Sequence, residues 1–398
     1  MNTLLKISRF VIIAMLITSA VVAQVTEEQS LEEYRKNEVQ RYKNFQHAEI
    51  EAYNKYMLEE EEGIEKLRKE VEDFWGTGEF ISSTKKDWVE YSNDKKSRSD
   101  VDFEEGTAKV EILLTPEEAL NIDLANSKLE DAVKNLVTTE GSTKDFETES
   151  EKPVPLENEP ILAGQIITKE GTPVDKSNAD DFAREIIKEE NITKETIKGA
   201  DGKERTKITI SMALAPDHIK VRALKYENEI NRYAGKYKLP VELVYAVIHT
   251  ESYFNPKAKS HAPAYGLMQL VPKSGARDAY QYVYKKDKIL SANYLYKADK
   301  NIELGTAYLQ ILMTRYFSKV VDPNTRTLCA IAAYNTGAGN VARAFTGTTN
   351  PKKAIPKINK MTYEECYGFL REYLPYDETK SYIKKVSQRI GMYNEWKQ

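Results

Sequence analysis

The charge of the chain changes sign at one place, and the hydrophobic pattern changes with it. Residues 216–398 hold 29 Lys and Arg against 16 Asp and Glu, a net of +13, whereas residues 1–215 carry a net of −17. From Asp217 onward the pattern is helical, with glycines and prolines in the gaps; before it, helical and strand textures alternate. With 398 residues the chain exceeds what one core usually supports, about 250–300 residues. Two units are therefore expected: an amino-terminal α+β domain over 24–215 and an all-α domain over 216–398.

In the first unit, residues 27–75 read as a long helix with Tyr34, Tyr42, Phe45, Ala52, Tyr56 and Leu67 along one face. Residues 110–114, after a turn at Gly106-Thr107, predict a strand; 166–168 and 208–210 predict two more. Residues 141–159 are rich in Ser, Thr, Glu and Pro and read as an exposed loop. In the second unit Asp217 is expected to cap a helix running to about Lys238, and Pro240 suits the first turn of the next. Further helices are expected over 301–317, 326–335 and 379–396.

The start of the chain sets the expected compartment. Lys6 and Arg9 precede an apolar run over 10–17, and Val21-Val22-Ala23 fits signal-peptidase cleavage. The run is too short to span a bilayer, so residues 1–23 are expected to be a cleaved export signal and the product a periplasmic protein. With cysteine only at 329 and 366, no lipid anchor or other stable membrane anchor is expected. Cys329 reads as a buried small hydrophobe; pairing with Cys366 stays open. The four histidines, His47, His218, His249 and His261, show no metal-ligand spacing, and neither metal nor cofactor is expected. A basic second half favours a polyanion. Nucleic acid and the carboxylate-bearing bacterial wall both qualify, and an export signal leaves the wall.

One acidic residue stands out. Val244, Val247, Ile248 and Glu251 fall at offsets of three, four and seven, which puts a carboxylate on the apolar stripe of the helix after Pro240. Burial raises a carboxyl pKa and suits it to general-acid work near neutrality. A helix-end Glu reaching solvent is the plainer alternative, and periodicity alone favours it. Two other segments add weight: Gly266-Leu267-Met268-Gln269 after a Pro-containing loop, and Ala333-Tyr334-Asn335-Thr336-Gly337 closing an apolar helix. Leu328, Ile331 and Asn335 share one face there, so Asn335 points inward.

Glu251-Ser252, Gly266 to Gln269, Ala333 to Gly337 and a late Glu378-Thr379-Lys380-Ser381-Tyr382-Ile383, in this order, resemble the soluble-lytic-transglycosylase domain, a goose-lysozyme-like fold. The last segment departs from the family pattern, with Lys and Ile where Arg and Val are usual. Residues 96–113 resemble the amino-terminal domain of membrane-bound lytic murein transglycosylase C, a subfamily typically lipid-anchored through a cysteine that this chain lacks. The resemblance implies cleavage of the MurNAc–GlcNAc bond of peptidoglycan with closure of a 1,6-anhydro ring and no water consumed. Glu251 would be the single acid/base; Ser252, Met268, Gln269, Tyr334, Asn335 and Tyr382 would meet substrate. Packing alternatives stand for several: Ser252 can bond backbone, Met268 can be core, and Tyr382 opens a stripe with Val386, Ile390 and Tyr393. Two other functions also stand. A hydrolytic muramidase of the same fold would differ in product mass by one water. A non-catalytic wall-binding protein would have no use for a buried Glu251.

Overall fold

The sheet of the first half forms around a strand that is apolar on both faces. The computed structural model describes residues 2–144, 148, 152–188 and 192–396, without the side chains of residues 2–29. Strands β1 (Asp87–Tyr91), β2 (Ser97–Asp102), β3 (Thr107–Leu114), β4 (Ile192–Lys198) and β5 (Glu204–Ala213) make one antiparallel sheet, ordered β1-β2-β3-β5-β4. Along β3, Ala108, Val110, Ile112 and Leu114 point to one face and Glu111 and Leu113 to the other. The helix Ile122–Thr138 packs on β3 and β2 and buries Leu129, Val133 and Leu136 there. Leu113 clusters instead with Val71 and Trp75, from the end of the helix Asn2–Trp75, and with Val89 and Tyr91 of β1. Glu111 sits opposite Arg98 across the ladder and pairs with it at 2.5 Å; the guanidinium lies 4.4 Å over the Trp75 ring. A layer on each face explains why β3 does not simply alternate apolar and polar.

Residues 1–57 form one unit, helical over its described residues, and Leu58–Gln398 form another. In the first, Tyr34, Tyr42 and Phe45 are exposed. The export-signal reading of residues 1–23 rests on side chains outside the described residues.

The α+β order of the chain is as expected, with corrections in detail. Residues 166–168 are not a strand. Ile167 makes a single β-bridge to Pro173, and a proline, having no N–H, cannot carry the ladder on. The 141–159 stretch is not simply exposed: Thr143 and Leu156 are buried, and Thr143 N donates to Val154 O at 3.1 Å. Strands β1, β2 and β4, and the helices Ile122–Thr138 and Ala179–Ile186, have no counterpart in the sequence reading. Both β1 and β2 are short and carry charges, which hides their buried positions.

The second half is helical, as expected. No continuous helix runs from Asp217 to Lys238. Helices His218–Lys225 and Glu227–Tyr237 break at Tyr226, and the Asp217 side chain makes no capping bond. The break lets the Tyr226 ring stack on Phe254, 6.4 Å between centroids. Pro240 stands at the cap of the helix Val241–Ser252, where its missing N–H is harmless. The helix Ala298–Ile311 gives way to a π turn at Leu312–Tyr316 before Phe317; Pro323–Thr336 and Asp377–Glu395 cover the other two expected helices. Helix Val241–Ser252 runs through the middle, with Glu227–Tyr237 and Asp377–Glu395 packed on it. Cys329 and Cys366 are buried free thiols.

Candidate active site

Helix Val241–Ser252 is buried on nearly every side: Leu243 to His249 all lie in the core. Its apolar stripe therefore says little about which residue faces what. Glu251 in the last turn is 4 % exposed. Burial raises its carboxyl pKa above the ordinary value; the nearby Lys85 ammonium and the Tyr382 phenol pull it down, and Glu378 adds to the rise. The chain turns sharply just beyond. Tyr253 (φ +52°) and Phe254 (φ +59°) are both left-handed without being glycine, a conformation that costs about 1–2 kcal/mol each. Packing holds them there. Phe254 is fully buried, Arg222 Nε donates to Tyr253 O at 3.0 Å, and the Tyr253 hydroxyl bonds Glu104.

Beyond that turn the chain runs against the sheet. Asn255 Nδ2 donates to Thr84 O at 3.3 Å and Asp87 O at 3.2 Å. Lys257, 1 % exposed, donates from Nζ to Val89 O at 3.0 Å and lies 5.0 Å over the Trp88 ring. Lys259 pairs with Glu60 at 2.8 Å. Arg222 is buried without a carboxylate partner, which lowers its pKa to about 9; its other donors reach Gln165 Oε1 and Phe103 O. This seam brings in a cation from the first half: Lys85 Nζ stands 3.6 Å from Glu251 Oε2 and 3.8 Å from Glu378 Oε1.

The residues expected to meet substrate have distinct surroundings. Ser252 is fully buried, its hydroxyl 2.8 Å from Leu267 O and 3.1 Å from Ile248 O; it ties the helix to the following loop. Met268 is also fully buried, its sulfur 3.9 Å from Thr306 Oγ1. Gln269 (φ +47°) donates from Nε2 to Ala258 O and Gly266 O, both at 2.9 Å, and leaves Oε1 without a partner. The Tyr334 hydroxyl donates to Met268 O at 2.8 Å; burial raises its pKa well above the ordinary value, and the nearby Glu251 carboxylate adds to the rise. Asn335 Oδ1 accepts from Thr379 Oγ1 at 2.7 Å. The Tyr382 phenol is buried against the Glu251 carboxyl, near enough to affect its ionisation but without a hydrogen bond of good geometry. Tyr382 thus stands against Glu251, and Tyr334 lies near enough to feel its charge. Gln269 and Asn335 belong to the segments around them, and the Ser252 and Met268 side chains point inside.

Asn301, absent from the sequence reading, organises the loop before Met268. Its Oδ1 accepts from Met268 N at 2.7 Å, and its Nδ2 donates to Tyr265 O and Leu295 O. At Gly266 (φ +74°) a Cβ would stand 2.5 Å from Leu295 O, so the close approach requires glycine. Asn301 is fully buried, yet in the sequence it stands in a polar Asp299-Lys300-Asn301 run that gives no signal of this. Nothing marked Lys85, in a charged Thr84-Lys85-Lys86-Asp87 run. His249 bonds the Tyr393 hydroxyl through Nδ1 at 3.0 Å, and burial keeps it neutral.

Comparison with known proteins places both halves. Residues 44–225 match the family model of the membrane-bound lytic murein transglycosylase C N-terminal domain, and residues 228–356 match that of the transglycosylase SLT domain. The chain is 31% identical over 319 residues to membrane-bound lytic murein transglycosylase C of Haemophilus influenzae (strain PittEE), covering 80% of this chain and 84% of that protein. It is 32% identical over 320 residues to the protein of the same name from Sodalis glossinidius, covering 80% and 85%. Among solved structures, the 70 kDa soluble lytic transglycosylase of Escherichia coli is similar, with 26% identity over 45% of this chain and 26% of that one and a TM-score of 0.34.

Proposed function

The chain belongs to the membrane-bound lytic murein transglycosylase C family and is a peptidoglycan lytic transglycosylase, and from that premise we propose that Glu251 works alone as its acid and base. The observation that carries this reading is a carboxyl 4 % exposed, with its pKa raised by burial, at the end of the central helix. Protonated Glu251 gives its proton to the oxygen between N-acetylmuramic acid and N-acetylglucosamine. The 2-acetamido group of the substrate supports the developing cation. Ionised Glu251 then takes the proton of the C6 hydroxyl as that oxygen closes on C1, leaving a 1,6-anhydro end. Gln269 Oε1, unpartnered, is an acceptor for a sugar amide N–H. Tyr334 and Tyr382 line the acid, and Asn335 stands beside them through Thr379.

A two-carboxylate mechanism needs a second acid facing the sugar ring. The carboxylate nearest in the network, Glu378, has a side chain 74% exposed and shares the Lys85 ammonium with Glu251, an arrangement that favours the single acid. The division of labour follows the proposed boundary: residues 216–398 hold the reaction and 24–215 support it. Export through residues 1–23 belongs to the same proposal; the relatives are named membrane-bound, and among the described residues no helix is long and apolar enough to cross a membrane.

Digestion of isolated sacculi followed by mass spectrometry of the fragments tests the reading. Anhydro ends, one water lighter than reducing ends, are expected, and Glu251→Gln should release neither. Products ending only in reducing sugars would assign the hydrolytic alternative.

A further inference from the structure

Lys85 is the one cation whose contact with Glu251 is direct among the described residues, and it comes from the other half of the chain. Its turn is fixed from within and from outside. Within it, Thr84 N donates to Asp87 O at 3.0 Å, and Thr84 Oγ1 donates to Asp87 Oδ2 at 2.6 Å. From outside, Asn255 Nδ2 grips Thr84 O and Asp87 O, and Asn255 follows Glu251 by only four residues. The backbone that carries Lys85 is thus bonded to the backbone that carries Glu251. The neighbouring Lys86 faces elsewhere, toward Asp102 at 2.5 Å, Asp87 at 3.7 Å and Glu104 at 3.8 Å.

We propose that Lys85 is a positioning residue for Glu251, orienting its carboxyl and stabilising the ionised form that must exist between the two proton transfers. The inference rests on Glu251 being the acid and base. The other groups acting on that carboxyl are the Tyr382 phenol and the exposed Glu378 of helix Asp377–Glu395, with the Tyr334 ring of helix Pro323–Thr336 close by; Arg389 acts on the site through Tyr382. The Tyr382 phenol also favours the anion, but burial and Glu378 work against it. At 3.6 Å the Lys85 ammonium supplies an opposing charge without a short hydrogen bond that would hold the carboxylate too firmly to take up its proton. Its own side chain is 35% exposed, so the ammonium reaches water while the carboxyl stays dry.

The test compares full-length wild type, Lys85→Met and Lys85→Arg on isolated sacculi across pH, with Glu251→Gln in the same series and folding checked by circular dichroism. In Lys85→Met the alkaline limb of kcat should move up by about one pH unit, because Glu251 holds its proton longer. The maximal kcat should fall about 10-fold as the ionised intermediate loses its counter-charge, with a smaller change in KM. Lys85→Arg should restore both. An unmoved alkaline limb and unchanged kcat in folded Lys85→Met would overturn the inference, as would a rise in KM alone, which would make Lys85 a substrate contact. Full activity in Glu251→Gln would instead remove the premise.

Discussion

Two regions meet at Glu251 and treat its charge in opposite ways. The helical side, from Pro323–Thr336 and Asp377–Glu395, buries the carboxyl and sets Glu378 near it, which favours the proton against the pull of the Tyr382 phenol. The sheet side offers one ammonium, carried on a turn bonded to the chain just past Glu251, which favours the anion. On the proposed single-acid mechanism Glu251 needs both, and among the described residues the one charge that opposes the anion's burial comes from the sheet side. On that proposal the helical half holds the reacting carboxyl and the seam adds its counter-charge, although every expected site residue lies in the helical half.

Glu251→Gln is the most severe way to break the arrangement. Activity on sacculi should drop about 10²–10⁴-fold with the melting curve retained, since the amide keeps the shape and cannot donate the acid proton. Near-normal turnover in the purified variant would show that the two regions are not built around this proton.

Arg222→Met attacks the seam without touching the acid. It leaves Tyr253 O, Phe103 O and Gln165 Oε1 without their buried donor and removes a guanidinium 4.2 Å over the Phe103 ring. A loss of about 3–5 kcal/mol in urea unfolding is expected, since each orphaned buried group costs roughly 1–3 kcal/mol. A loss below about 1 kcal/mol would mean that the sheet merely touches the turn after Glu251.

Acid should weaken the helical side through His249. Burial lowers its pKa to about 2, whereas in the unfolded chain it titrates near ~6.5. Between these values only the unfolded chain binds the proton. The stability that neutral His249 contributes is thus complete above about pH 6.5 and declines as pH falls, by roughly 1.4 kcal/mol per unit. At pH 5 that amounts to about 2 kcal/mol. Urea midpoints measured from pH 7.5 to 5 should show the slope, and His249→Gln should make it shallower, leaving the share of His218, whose pKa burial lowers to about 4. An unchanged slope in that variant would place the acid sensitivity elsewhere.

The smallest effect sharpens the helical side alone. Thr379→Ala removes the 2.7 Å bond to Asn335 Oδ1 and frees the amide to turn. A stability loss near ~1 kcal/mol is expected. KM should rise a few-fold with kcat held, and a fall in kcat at unchanged KM would argue that Asn335 acts in the transition state.

What was legible in the sequence was local. Glu251, Gly266, Gln269, Tyr334, Asn335 and Tyr382 stand in short segments, each weak alone, and it was their order, in its resemblance to a known family, that marked them. The change from α+β to all-helical was equally plain, because periodicity and charge are local averages. Strand β3 was visible through its apolar run; β1 and β2 were not, because their charged residues look like a solvated loop until Trp88, Val89 and Val101 find a core. Lys85 lies far along the chain from Glu251 in a run of charges, Asn301 and Arg222 look like ordinary polar positions on helices, and the inward aim of the Ser252 hydroxyl has no pattern of its own. Their roles depend on which distant carbonyl or carboxylate stands within a few ångströms. That distance is set when the sheet packs against the helices, because buried polar groups must find partners wherever the fold places them.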